Sequence, residues 1–401
     1  MKRFIGTILI ALFLICSAGM AFAADTEYVV KKGDTLSQIG KTFGVKYMTI
    51  AQLNNIINPN LILIGQKLII PGQGTGSSNV PQSAGSTSIT VTDVTGRVIT
   101  LDKPASKILG THNPSLNTGI VLGGGDKYLA GFGNKKMANK LYDYVMKDYA
   151  GIVQIGTGNN INFETVASLA KNNVVAILPE RFKTQVQQFE NVGVKAIVAL
   201  PNTESFDTIK NSLFITGKVL GEDKKAAQIS AFIDRTISET KALAAKAATR
   251  PSVIFLGSSS AFSVASTSMI QTDIIEMAGG INAVTGLDVK GAFADVNIEQ
   301  IIAWNPEIIW VPKYASYTVE SLLSDPKWSS IKAVKNKAVY VFPSEMEPWD
   351  YPTASAVLGL SWGLYSLHPE LYSINDLMKN ADEFYNMVYG KTFTVEQLGI
   401  K

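Results

Sequence analysis

The chain has 401 residues, 46% of them apolar and 17% charged, with a formal net charge of only +3. That is length enough for two or three domains with a large core, and so even a charge balance excludes the clustered basic surface of a nucleic-acid binder. One cysteine, Cys16, and two histidines, His112 and His368, leave too little for disulfides, thiolate chemistry or a multi-histidine metal site.

The first predicted element is a secretion signal over residues 1–23. Lys2 and Arg3 give a basic start, Phe4 to Ile15 an apolar run, and Ala21-Phe22-Ala23 a small-x-small cleavage site. The run is short for a membrane span. Cys16 follows Ile15 rather than a small residue, so lipidation is not expected. The mature chain would begin near Ala24 with no thiol, and loss of Lys2 and Arg3 would lower its charge from +3 to +1.

Residues 27–71 form a compact unit. A short strand, Tyr28-Val29-Val30, runs into a Gly33-Asp34 turn, where Asp34 or Thr35 caps a helix through Leu36, Ile39 and Phe43. A second helix covers about Ile50 to Asn54, Asn58-Pro59-Asn60 breaks the chain, and Lys67 to Pro71 closes as a strand. This βααβ unit resembles a LysM module. The matching residues are Tyr28-x-Val30-x2-Gly33-Asp34-Thr35-Leu36-x2-Ile39, Leu53-Asn54-Asn55 and Ile64-Gly65-Gln66-x-Leu68-x-Ile70-Pro71. The resemblance implies binding of N-acetylglucosamine-containing glycans such as peptidoglycan. The groove would lie between Gly33–Leu36 and about Ile57–Leu61, with Gly33, Asp34, Thr35, Leu36, Asn58 and Asn60 as its residues.

Residues 72–88, rich in Gly and Ser, read as a flexible linker. Residues 89–401 then alternate strands and helices, which argues an α/β body with mostly parallel sheets. Ile89–Val91 and Val98–Leu101 bracket a hairpin turn at Asp93-x2-Gly96-Arg97. Strands follow at Lys107–Gly110, Val174–Leu178 and Ala196–Leu200. Residues 205–248 are mostly helical, with apolar positions in the later part at Ala227, Ile229, Phe232, Ile233, Ile237 and Leu243. Arg250-Pro251 ends that stretch, and Ser252–Leu256 opens a second set of strands. The expected architecture is two Rossmann-like lobes, about 89–221 and 251–401, joined by one long helix at about 222–248. A single connecting helix is stiffer than a loop hinge, so lobe motion should be small.

One unit occurs twice. Asn162-Phe163-Glu164 opens a short amphipathic helix that leads to the strand Val174–Leu178, and Asn297-Ile298-Glu299 opens another that leads to Ile308–Val311. Each copy carries one carboxylate near its helix start, which points to two similar lobes with one matching contact on each. The plain alternative is that each Glu only favours the positive end of its helix, an effect of about 0.3–1 kcal/mol.

The body resembles the periplasmic binding proteins for ferric siderophores, haem and cobalamin (class III), which deliver ligand to ABC importers. The residues that carry this are Thr92-Asp93-x2-Gly96-Arg97 with Ile108, the two Asn-x-Glu starts, Met277-Ala278-Gly279-Gly280, and Asp325-Pro326-x-Trp328-x4-Lys332-Ala333-Val334-Lys335-Asn336-x-Ala338-Val339-Tyr340. The resemblance implies that Glu164 and Glu299 dock into arginine pockets on the permease. It places ligand in a cleft between the lobes, at loops leaving the carboxyl ends of strands. Four loops qualify: Thr111–Pro114, Glu180–Phe182, Ser258–Ser260 and Ser344–Pro352. From them His112, Asn113, Arg181, Ser259, Trp349 and Tyr351 are the expected ligand contacts, with Met269 and Tyr314 ranked below. Arg181 would suit an anionic group, and Glu345, Glu347 and Asp350 supply acceptors.

No catalytic residue, cofactor or protein-bound metal is expected. A cell-wall hydrolase is disfavoured because neither His sits in an acid–base pattern and Ser258-Ser259-Ser260 lacks a nucleophile-elbow frame. A zinc or manganese importer component would need more histidines. Among cargoes, a ferric siderophore or other iron complex ranks first, then corrinoid and haem, with molybdate-type oxyanions also open. The expected location is outside the cytoplasmic membrane, in periplasm or wall, with glycan binding holding the protein near its permease.

Overall fold

The structure is a computed structural model and describes residues 25–31, 33–45, 47–54, 56, 62, 67–72, 88–133, 139–158, 160–287 and 292–400. The secretion signal, the glycan candidates Asn58 and Asn60, and the linker over 73–87 lie outside the described residues. The chain divides into two compact units, residues 1–82 and 83–401. No described helix is long and apolar enough to cross a membrane.

The first unit pairs β1 (Thr26–Val29) with β2 (Lys67–Ile70) antiparallel, over α1 (Leu36–Phe43) and α2 (Tyr47–Leu53). Thr35 caps α1 in a capping box with Gln38, which satisfies two helix-end groups reciprocally. Gly33 takes φ +90° in the turn before it, where a Cβ would be strained. The second helix starts at Tyr47, three residues ahead of the sequence reading.

The main unit opens with a hairpin, β3 (Ile89–Thr92) and β4 (Val98–Leu101). The first lobe follows: β5 (Lys107–Gly110), α3 (Asn113–Gly123), β6 (Leu129–Phe132), α4 (Leu141–Val145), β7 (Val153–Gln154), the small pair β8 (Gly156–Thr157) and β9 (Asn160–Ile161), α5 (Phe163–Leu169), β10 (Val174–Pro179), α6 (Val186–Asn191), β11 (Lys195–Leu200) and α7 (Phe206–Leu220). Its five-stranded sheet runs β11-β10-β5-β6-β7, all parallel. All six residues of β10 are buried, as a central strand covered on both faces requires.

After α8 (Asp223–Ala244) come β12 (Ser252–Phe255), β13 (Ser263–Ala265), α9 (Ile270–Met277), β14 (Ile281–Asn282), β15 (Phe293–Asp295), α10 (Ile298–Trp304), β16 (Ile308–Pro312), α11 (Val319–Ser324), α12 (Lys332–Lys335) and β17 (Val339–Phe342). The second sheet runs β14-β12-β16-β17, again all parallel. Three C-terminal helices close the chain: α13 (Ala356–Leu367), α14 (Ile374–Tyr389) and α15 (Val395–Leu398).

The connecting helix differs in detail from its sequence reading. Gly221, at φ +72°, caps α7 and separates it from α8, which ends at Ala244 rather than Ala248. At 1.5 Å per residue its 22 residues span about 33 Å. Ala226 is buried and Ala227 exposed; Ile229, Phe232 and Ile233 form the buried stripe. Nor does α8 join the lobes alone. From the C-terminal segment α14 packs against α3 of the first lobe, Phe384 lies 5.6 Å from Phe232, and Arg235 pairs with Glu383 at 2.7 Å. One hydrophobic core therefore runs from Ile108 and Leu116 through Ile229 and Phe232 to Trp310, Trp362 and Phe384.

The motifs behind the resemblance prove to be packing devices. Asp93 is buried and accepts from the N–H groups of Thr95, Arg97 and Val198, clipping the hairpin to β11. A Cβ on Gly279, at φ +93°, would sit 2.7 Å from His368 Nε2. Trp328 fills the core of the second lobe.

Candidate ligand cleft

A cavity of about 420 Å³ opens between the two lobes of the main unit. The first lobe contributes Thr111 to Pro114, Thr157, Gly158, Arg181, Phe182 and Glu204; the second contributes Met269, Gln271, Phe293, Tyr314 and Asp350 to Pro352. Most of these follow the carboxyl ends of parallel strands β5, β10, β11, β16 and β17, where the backbone leaves the sheet and side chains are free to face a ligand.

His112 precedes α3 without capping it, and its Nδ1 lies 3.0 Å from Ser115 Oγ. Burial, aided by the charge of Arg181, pushes its pKa down to about 3, so the imidazole is neutral at physiological pH. Arg181, the one cationic side chain among the described residues lining this cavity, stands over the Phe182 ring at 5.4 Å. Burial lowers its pKa and Glu204 opposes the change; a guanidinium stays charged regardless.

Two carboxyls line the same cavity, and Glu204 is the one that feels the charge of Arg181. Glu204 is raised to about 7, chiefly by burial, against the opposing Ile270 N–H and Arg181 charge. Asp350 is raised to about 6 by burial while Tyr314 and Ser344 hydroxyls donate to it. Near neutrality the cavity thus has a fixed positive charge, one acid, Glu204, close to half ionised, and another, Asp350, mostly ionised. Thr111 Oγ1 and Gln271 Oε1, both on buried residues of the wall, have no hydrogen-bond partner among the described residues. Buried polar atoms are rarely left this way, and a bound ligand or water would satisfy them.

Four of the six expected contacts, His112, Asn113, Arg181 and Tyr351, line the cavity. Trp349 does not: it is 1% exposed and donates through Nε1 to the Tyr385 hydroxyl at 2.9 Å. Its neighbours Asp350 and Tyr351 face the cavity instead, and Tyr351 packs edge-on against Tyr314 at 5.6 Å. Ser259 is also displaced. Ser316 donates to the carbonyls of Ser258 and Ser259, and neither serine is among the residues that line the cavity. Glu204, Gln271 and Phe293 escaped the sequence reading. Glu204 follows β11, so the strand-end rule could have found it; Gln271 and Phe293 come from other positions and carry no such signal.

Glu164 and Glu299 are exposed, each in the first turn of its helix, with no ion pair among the described residues. Asn162 and Asn297 cap the two helices identically, accepting from Thr165 N–H at 2.9 Å and Gln300 N–H at 2.8 Å. In the first unit Gly33, Asp34 and Thr35 lie at or near the surface. Asp34 accepts from Lys31 N–H and the Tyr28 hydroxyl, which hold its carboxyl below the usual range. Leu36, however, is 1% exposed and packs with Ile39, Ile50 and Leu68, so its side chain belongs to the core and not to a glycan surface.

Two lobes with parallel sheets, a shared helical seam and an interlobe cavity define a binding protein of the class III type. The chain belongs to the periplasmic binding protein family, whose model matches residues 115–346, and residues 28–71 match the LysM domain. Molybdate-binding protein MolA of Haemophilus influenzae is 23% identical over 335 residues, 76% of this chain and 91% of MolA. The Fe(3+)-citrate-binding protein YfmC of Bacillus subtilis is 25% identical over 208 residues, 51% of this chain and 62% of YfmC. A periplasmic solute binding protein from Veillonella parvula shares the fold, with TM-score 0.66 and 24% identity over 78% of this chain and 96% of that one. Similarity to N-acetylmuramoyl-L-alanine amidases is confined to the LysM region, 53 to 63 residues. The main body is that of a binding protein, not an enzyme.

Proposed function

We propose that this chain is the extracytoplasmic substrate-binding protein of an ABC importer for an iron complex, a ferric siderophore or related chelate. The carrying observation is the composition of the cleft. Arg181 offers one charge-assisted anchor for anionic oxygens, and Phe182, Phe293 and Tyr351 offer apolar area around it. The volume of about 420 Å³ falls in the range of small organic ligands. The negative charge that Glu204 and Asp350 carry near neutrality disfavours a dense free anion and tolerates a chelate whose charge is largely cancelled by its metal. Similarity to a Fe(3+)-citrate-binding protein agrees with this reading.

A molybdate-type oxyanion is the second reading, favoured by the similarity to MolA. Corrinoid and haem stay in the test panel, with the neutral His112 as the residue a haem iron would meet. Fluorescence titration of the purified protein against ferric siderophores, ferric citrate, haem, cobalamin and molybdate separates them. Saturable binding of the ferric complexes is expected; saturation by molybdate alone would replace the reading.

Delivery follows from the two other sets of residues. Glu164 and Glu299, one per lobe and free to pair, would meet arginines of an ABC permease; two separated ion pairs fix an orientation. The LysM unit would bind peptidoglycan and, through the linker, keep the protein near its permease.

A further inference from the structure

The cleft does not end at the first cavity. Beyond a partition made of Asn113, Pro114, Tyr314 and Tyr351, shared by both spaces, lies a second chamber of about 350 Å³. Like the first it is lined by one cation and two carboxyls, but here the cation is already paired. Lys140, at one wall, is tied to Glu345, which Lys313 also approaches at 3.6 Å. The other walls present acceptor oxygens with nothing to accept. Asn117 Oδ1, Asn139 Oδ1 and Glu347 Oε1 are all without a partner among the described residues, and Asn117 and Glu347 are only 6% and 2% exposed. Of the eleven buried side-chain atoms in this condition, five belong to residues lining the two chambers. The other six lie elsewhere in the main unit, so the two chambers together hold nearly half of the unmet polar atoms among the described residues.

We propose that the second chamber is a subsite for a protonated amine, or an equivalent hydrogen-bond-donating arm, of the same ligand whose anionic part lies beside Arg181. The inference rests on the cleft being the ligand site, as argued above. The chemistry is specific. An acceptor left dry costs about 1–3 kcal/mol, and an ammonium carries three donors and no acceptor, which suits a wall of unmet acceptors. Glu347 is hydrogen-bonded by the uncharged Tyr385 and Ser355 and has Tyr142 and Tyr389 nearby, and of its oxygens Oε1 alone is left unmet among the described residues. Burial lifts it to about 7, and a docked cation would hold it ionised. The cargo on this view is bipolar: anionic or metal-chelating at one end, cationic at the other.

Two measurements test it. The first needs no cargo. With 13C-labelled glutamate, the Glu347 carboxyl resonance is followed during titration with n-propylammonium, and with n-propanol as the neutral control. A saturable shift with the ammonium alone is expected, abolished in Glu347→Gln and weakened in Asn139→Ala, a partly exposed position that will tolerate change. Absence of a saturable shift overturns the proposal: the chamber then holds water only. The second compares the ferric complex of a linear trihydroxamate bearing a terminal ammonium with its N-acetyl form. Binding of the first should be tighter by about tenfold or more, and Glu347→Gln should erase the difference. Equal affinities would overturn the bipolar cargo. If neither ferric complex binds while propylammonium does, the iron reading falls and the subsite stands.

Discussion

Arg181 is the residue on which the cleft chemistry turns, because it is the one fixed charge in a cavity also lined by the acids Glu204 and Asp350. Replacing it with Gln should weaken binding of an anionic ferric chelate roughly ten- to hundredfold with little change in the thermal midpoint, since the side chain is only partly enclosed and makes no ion pair among the described residues. Titration and calorimetry of the same variant check both halves. Glu204 and Asp273 carry a second prediction. Glu204 Oε2 accepts from Ile270 N–H at the start of α9, and Asp273 Oδ2 accepts from Phe206 N–H at the start of α7, so each lobe lends a carboxylate to a helix end of the other. Burial raises Glu204 to about 7 and Asp273 to about 6, as it does Glu347 and Asp350. A carboxyl whose folded pKa lies above its unfolded value binds its proton more tightly when folded. The stability it contributes is complete below the unfolded pKa and lost as pH rises through the folded one. The unfolding midpoint should therefore fall as pH rises through about 6 to 7, and the fall should be smaller in Glu204→Gln and Asp273→Asn. A midpoint that rises over this window would contradict the assignment.

At the scale of elements, the duplicated unit is a repeated solution to one local problem. An Asn accepts from the N3 amide, a Glu stands in the first turn, and a buried residue, Val166 or Ile301, follows two positions on. Each helix is then brought to its strand by an Asn in left-handed conformation, Asn173 at φ 52° and Asn305 at φ 44°. The caps account for both Asn residues but leave the two carboxylates exposed and without an ion pair among the described residues. Reversing their charge, Glu164→Arg with Glu299→Arg, should leave ligand affinity in solution unchanged and abolish uptake in cells that depend on this protein. Normal uptake by the double variant would reduce both acids to helix-end charges.

For the main unit as a whole, the seam between lobes is broad. The core is continuous through α8, α13 and α14, and on the cleft side Leu141 N–H donates to Met346 C=O at 3.0 Å while Glu204 N–H donates to Ser268 C=O at 3.1 Å. Opening the cleft would break contacts at both points. Small-angle scattering with and without ligand should show little change in radius of gyration, and a large compaction would mean the seam yields. The tether makes a separate prediction. Deleting residues 27–72 should move the protein from the cell-wall fraction to the medium while leaving cleft affinity as it was; a loss of affinity would show the two units are not independent.

The order of strands and helices, the LysM unit, the paired Asn-x-Glu starts and the strand-end loops were all legible in the sequence, because each follows from local rules: periodicity, caps, turn residues and motif spacing. The loops led directly to His112, Asn113, Arg181 and Tyr351. What the chain could not state by itself was which way a residue in a loop faces. Trp349 and Tyr351 are two positions apart and looked equivalent, yet one anchors on Tyr385 in the core and the other lines the cleft. The Ser258–Ser260 loop looked like a cleft loop, yet Ser258 and Ser259 bond to Ser316 and do not line the cavity. Glu204, Gln271 and the empty acceptors of the second chamber depend on residues more than sixty positions apart meeting in the fold. Burial, unmet hydrogen bonds and shifted carboxyl pKa values arise only from that meeting, and the ligand's chemistry is written there.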